Sequence, residues 1–181
     1  GFLIKALCSP GDAGEIGNLY TLNPFPVPNS LTHWLFAGFS TFLPDFLTEK
    51  AVLVLYLLLT PLIFRKLILM VSPQNGVFSW LMILFVHNQN FYFGFFNFSF
   101  GLLFLFITLY FFLKHRLILT PIKFTLLGLL FFLTYFSHLM VFMISFTLVT
   151  GLALTDSWPD KKIRLTFPEI KIVTGRLMKV I

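Results

Sequence analysis

Five polar side chains stand out in an otherwise apolar chain: His33, Asn90, Asn97, Tyr135 and His138. A histidine moves protons near neutral pH, binds phosphate oxygens when charged, or ligates metal. A carboxamide in hydrocarbon is costly unless it is paired, so Asn90 and Asn97 need a reason to be there. Read as one helix, the stretch from His87 to Leu113 sets Asn90, Gly94, Asn97, Gly101 and Thr108 at i, i+4, i+7, i+11 and i+18. That is a narrow stripe at the 3.6-residue period on a surface that is otherwise Phe, Leu, Ile and Tyr. Two readings follow. In the simpler one the glycines allow close helix approach and the amides pair between helices. In the other the stripe lines a polar cavity that receives a substrate head group. Gly101→Leu disrupts assembly under either reading, whereas Asn97→Leu leaves the fold intact only under the second.

The two readings extend to the histidines. His138 is either a neutral ring satisfied by a carbonyl at a helix break or a ligand for an anion. His33, close to Asn29, is either an interfacial ring in water or the loop side of the same cavity. His115, between Lys114 and Arg116, reads as a basic loop residue. Asn97-Phe98-Ser99 fits an N-glycosylation sequon but falls in an expected span and is discounted. No Ser/His/Asp set, P-loop or dinucleotide fingerprint occurs, and no cofactor is implied. Cys8 is the one cysteine, which excludes an internal disulfide and a zinc cluster, and no residues have metal-ligand spacing. Between Ala51 and Thr155 there is no Asp or Glu, which argues against a carboxylate-driven proton or sodium transporter.

The elements that must hold these groups belong in a membrane. Of 181 residues 57% are hydrophobic, 26 are Phe and 11% are charged, against roughly 25% charged in soluble domains. The net charge of +6 then reads as the cytoplasmic loop bias and not as a nucleic-acid surface. The chain opens at Gly1 in mid-pattern, with Phe2, Leu3, Ile4, Ala6 and Leu7 resembling a helix end, so a fragment is expected. The fold class is all-α, a polytopic helical membrane protein with about five membrane segments plus an external surface helix.

Residues 1–45 read as an external loop. Alternating prolines at Pro24, Pro26 and Pro28 hold it extended before an interfacial helix over 30–43, capped by Asn29 or Ser30 and ended by Pro44. The bundle occupies 46–154, with segments at about 46–70, 77–88, 91–113, 121–136 and 139–154. Arg65-Lys66 and Lys114-His115-Arg116 mark cytoplasmic ends, and Pro61 is expected to kink the first span. The run Val77 to Val86 climbs only about 15 Å as an α-helix, half the hydrocarbon core. Either the polar flanks extend it or the chain between Val86 and Asn97 dips into the membrane as irregular backbone. The stretch 121–154 would measure about 50 Å as one helix, too long for a single crossing, so it is expected to break at Thr134-Tyr135-Phe136-Ser137-His138. That break leaves the basic residues 155–181 as a cytoplasmic juxtamembrane tail.

The order of these parts resembles the GT-C class of polytopic glycosyltransferases. Tyr20-Thr21-Leu22-Asn23-Pro24, Pro26-Val27-Pro28-Asn29, Asn97-Phe98 with Gly101-Leu102, and Tyr135-Phe136-Ser137-His138-Leu139 are similar to a group of bacterial multi-pass proteins related to that class. The resemblance covers about residues 3–154. It implies inverting transfer from a polyprenyl-phosphate-linked sugar in a bacterial inner membrane. His33, Asn90, Asn97, Tyr135 and His138 would be the substrate-binding residues, and His138 would face the lipid phosphate where related enzymes often carry a lysine. The catalytic carboxylate of the class would fall upstream of Gly1, and neither Asp12 nor Glu15 has a matching context. The lipid bilayer and the lipid-linked sugar are the expected partners. The rival reading is a non-enzymatic multi-pass protein, such as a lipid or polysaccharide transporter subunit.

Overall fold

The computed structural model describes residues 25 and 27–157. The motif at 20–24 and the basic tail from 158 onward lie outside the described residues. Within them every regular element is helical and there is no strand. The elements are α1 (Leu31–Phe39), α2 (Asp45–Val71), a 3-10 segment (Pro73–Leu81), α3 (Met82–Val86), α4 (Gln89–Tyr92), α5 (Phe96–His115), α6 (Pro121–Ser137) and α7 (Leu139–Ser157). Three of them, α2, α5 and α7, are long and apolar enough to cross a membrane. Their outer faces carry Val54, Leu58, Leu62, Met143 and Phe146, all exposed. So much apolar surface on helices that are apolar nearly all round is the pattern of contact with hydrocarbon.

The three long helices run in the same direction. Tyr56 of α2 packs on Phe100 of α5 with ring centroids 5.7 Å apart, and further along Phe64 meets Phe106 at 5.3 Å. A Cβ built on Gly101 of α5 would lie 3.3 Å from the Cβ of Val141 in α7. At the far ends of the same two helices Arg116 pairs with Asp156 at 3.1 Å. Parallel neighbours need returning segments between them. The first is residues 73–86, whose Met82 and Val86 share a buried cluster with Val52, Tyr56, Phe100 and Leu103. The second is α6, whose Leu127 is buried with Phe112 and Val149.

The first return lengthens the run Val77 to Val86. It starts at Pro73, and Pro73–Leu81 is 3-10 helix interrupted by a kink at Asn75, whose φ −97° and ψ 17° are not helical. Past the kink, residues 76–81 rise about 12 Å at about 2.0 Å per residue, and α3 adds about 7 Å. Gly76 lets the returning chain pass against α2, since a Cβ there would come within 2.8 Å of Leu69 Cδ2.

The stretch His87 to Leu113 is not one helix. Asn88 accepts from the Phe91 amide at 3.0 Å and starts the short α4, and Gly94 then takes φ +78°, a left-handed value that ends it. The long helix begins at Phe96. Asn90 and Gly94 therefore lie outside it, and the helical stripe reduces to Asn97, Gly101 and Thr108. Pro61 sits inside α2, which is continuous from Asp45 to Val71. The helix expected over 30–43 is shorter, α1 ending at Phe39 with turns before Pro44.

Candidate functional site

At one end of the bundle the starts of α1, α5 and α7 converge. Asn97, in the first turn of α5, ties two of them together. Its Oδ1 accepts from the Thr32 amide at 2.9 Å and from the Thr32 hydroxyl at 2.8 Å, and its Nδ2 donates to the Asn29 carbonyl at 2.6 Å. The reason lies in α1. Its N-cap residue, Ser30, makes no side-chain capping bond. The first amides of a helix have no partner of their own, so α5 supplies the cap from a distance. Asn29 reaches this position at φ +63°, a left-handed value that asparagine tolerates better than most residues.

A second tie holds the same corner. The chain between α6 and α7 breaks at His138, whose backbone is extended at φ −159° and ψ 121°. Its amide still donates to Thr134 and its carbonyl accepts from Phe142, so both helical ladders close up to the break. The Phe136 carbonyl would be left over, and the Ser30 amide donates to it at 3.2 Å. Gly101 of α5 permits this meeting, because any Cβ there would press on the Cβ atoms of His138 and Val141.

Between these ties lies a cavity of about 630 Å³, lined on its polar side by Asn29, Thr32, His33, Asn90, Asn97 and His138. Phe36, Phe95, Phe96 and Phe98 complete the wall, with Gly94 at its edge. Among the described residues no carboxylate and no permanent cation lines it. Partial burial lowers the pKa of His33 from its ordinary value, which favours the neutral ring. The His138 ring stands edge-on to Phe98 at 5.2 Å. Its Nδ1 is buried and has no hydrogen-bond partner among the described residues. A buried polar atom without a partner is uncommon, and water or a ligand usually completes it. The first turns of α5 and α7 open here, and helix N-termini favour negative charge. The arrangement suits a head group with acceptor oxygens that is neutral or anionic.

Four of the five residues singled out in the sequence, His33, Asn90, Asn97 and His138, line this one cavity. Tyr135 is not among the lining residues and packs edge-on against Phe142 at 5.7 Å. It precedes the break by one helical turn, so its ring sits on the α6–α7 seam. Nor does the rest of the His87-to-Asn90 group reach the cavity. His87 stacks on Tyr92, and Asn88 is committed to capping α4. Thr32 is a participant that its place in the sequence did not advertise. It lies off the apolar face of a short helix, and only the partner 65 residues away gives it a task. Among the described residues no three His, Cys, Asp or Glu side chains gather to hold a metal ion. No protein-family model, curated protein or solved structure matches the chain.

Proposed function

We propose that this chain is part of a polytopic glycosyltransferase-like protein of a bacterial inner membrane, and that its cavity receives the phosphate–sugar head of a polyprenyl-phosphate donor. One observation carries the reading. His33 and His138, more than a hundred residues apart, meet at a polar cavity where two long helices start, and no carboxylate among the described residues lines it. An anionic head group is favoured at such a place by the helix N-termini and by hydrogen bonding. His138 is the residue on which to test it. Its ring has an unused buried nitrogen, so truncating it removes no hydrogen bond among the described residues. His138→Ala is expected to keep the yield of folded protein while lowering polyprenyl-phosphate retention at least tenfold in native mass spectrometry. Retention equal to that of the unmodified chain would reject the phosphate role.

A non-enzymatic lipid or polysaccharide transporter subunit is the second reading. It has one observation in its favour, since among the described residues the cavity wall supplies no carboxylate that could act as a general base. Donor binding without transfer to any acceptor would favour it.

The membrane arrangement proposed with this function has five segments, with α1 on the external surface and the Arg116 end in the cytoplasm. Parallel α2, α5 and α7 support it, because residues 73–86 and α6 must then each cross back. The positions of Arg65, Lys66, Lys114 and Arg116 agree with the cytoplasmic bias for cations. Gln89→Cys and Gln74→Cys, each in a Cys8→Ser background, give the check. An impermeant maleimide should label the first from outside and the second only from the cytoplasmic side. Labelling of both from one side would show that 73–86 does not cross.

A further inference from the structure

The opposite end of the bundle gathers cations with too few acids to match them. Of the three carboxylates among the described residues, Asp45 and Glu49 begin α2 at the cavity end, and Asp156 is engaged by Arg116 at 3.1 and 3.4 Å. Lys114 and Lys123 stand on either side of the α5–α6 turn. Lys123 Nζ donates to the Ile118 carbonyl at 3.2 Å, and the Ile118 amide donates in turn to the His115 carbonyl at 3.0 Å. Lys114 Nζ lies 5.7 Å from the centre of the Tyr110 ring. Lys123 thus reaches back across the turn to Ile118, which is itself tied to His115, the neighbour of Lys114. An ammonium group has three donors, and here a ring face and one carbonyl use only part of that capacity.

The surroundings of the two lysines say which anion fits. Leu117, Ile118, Ile122 and Phe124 are all strongly exposed within this same corner. A soluble anion gains nothing from such a collar. A lipid gains from both parts, with its phosphate on the ammonium groups and its acyl chains along the apolar side chains. We infer that the corner formed by Lys114, Lys123 and the exposed apolar residues of the α5–α6 turn is a binding site for the head group of an anionic phospholipid. The inference rests on the chain being a membrane protein and is independent of what the cavity binds.

The test uses the whole chain in nanodiscs of equal phosphatidylglycerol and phosphatidylcholine, released into mild detergent for native mass spectrometry. Retained phosphatidylglycerol is expected on the unmodified chain, with phosphatidylcholine lost. Lys114→Gln with Lys123→Gln should reduce retention by about fivefold per lysine. Equal melting of the two proteins in pure phosphatidylcholine would show that the variant is folded. Retention unchanged by the double substitution would overturn the proposal, with the lipid then held by other basic residues. Displacement of the lipid by millimolar inorganic phosphate would also overturn it, because the apolar collar would then contribute nothing.

Discussion

Gly101→Leu is expected to leave almost no monodisperse protein after detergent extraction. A first side-chain atom at this position would sit 3.2 Å from the Cβ of His138 and 3.3 Å from both Cβ and Cγ2 of Val141. Two of those atoms are fixed to backbone, so no rotamer change relieves them. The start of α7 would have to move off α5 and take the α6–α7 break with it. Even alanine must push the helices apart by a few tenths of an ångström. Overpacking of that kind costs about 1–3 kcal/mol, set against a gain of about 1 kcal/mol in helix propensity. Leucine adds three more carbons where no space exists. Gly128 provides the control, since a Cβ on it would meet nothing within 4 Å. Gly128→Leu should therefore extract as well as the unmodified chain. Equal recovery of the two leucine variants would mean that α5 and α7 do not approach in this way.

Asn97→Leu should also be severe, but in a different place. The substitution removes the acceptor for both donors of Thr32, a residue only 2% exposed, and the donor to the Asn29 carbonyl. Buried donors left without partners cost about 1–3 kcal/mol each, so the two of Thr32 give a total of about 2–6 kcal/mol. The loss falls on the docking of α1, because α5, α6 and α7 keep their own contacts. The protein should still extract, while protease cuts the 27–31 segment about thirty-fold faster or more, as local opening becomes easier. Asn97→Asp, which keeps the acceptor for Thr32 and loses the donor to Asn29, should fall between the two. An unchanged cleavage rate in Asn97→Leu would remove Asn97 from the docking role. The outcome bears on the choice left open by the amide stripe, for Asn97 both packs and lines the cavity. It joins elements while exposing its edge to the space they enclose.

Much of the architecture was legible in the chain because hydrocarbon imposes simple lengths and charges. A run of apolar residues too long for one crossing, with its one cluster of polar residues at 134–138, calls for a break in the middle, and α6 ends at Ser137 with α7 starting at Leu139. Gly101 as a point of close approach follows from its type and its neighbours. The helix start at Phe96 was not legible. The apolar content of 91–113 is the same whether or not Gly94 turns left-handed, and a glycine adopts either sign of φ at little cost. The 3-10 return was hidden for a similar reason, since composition does not distinguish a rise of 2.0 Å per residue from one of 1.5 Å.

Composition and periodicity alone determined that the chain is helical, that its long apolar helices suit a membrane, and which few side chains are too polar for that solvent. Only the tertiary structure decided which of those side chains meet. His33 and Asn90 sit on separate short elements, and their convergence with Asn97 and His138 depends on α2, α5 and α7 running parallel with two returns between them. Tyr135 and His138 are three residues apart, yet one packs in a helix seam and the other lines the cavity. The physical reason is one of range. Burial preference and helical period act over a few residues and can be read locally, whereas a hydrogen bond such as Asn97 to Thr32 joins residues whose distance is set by every element folded between them.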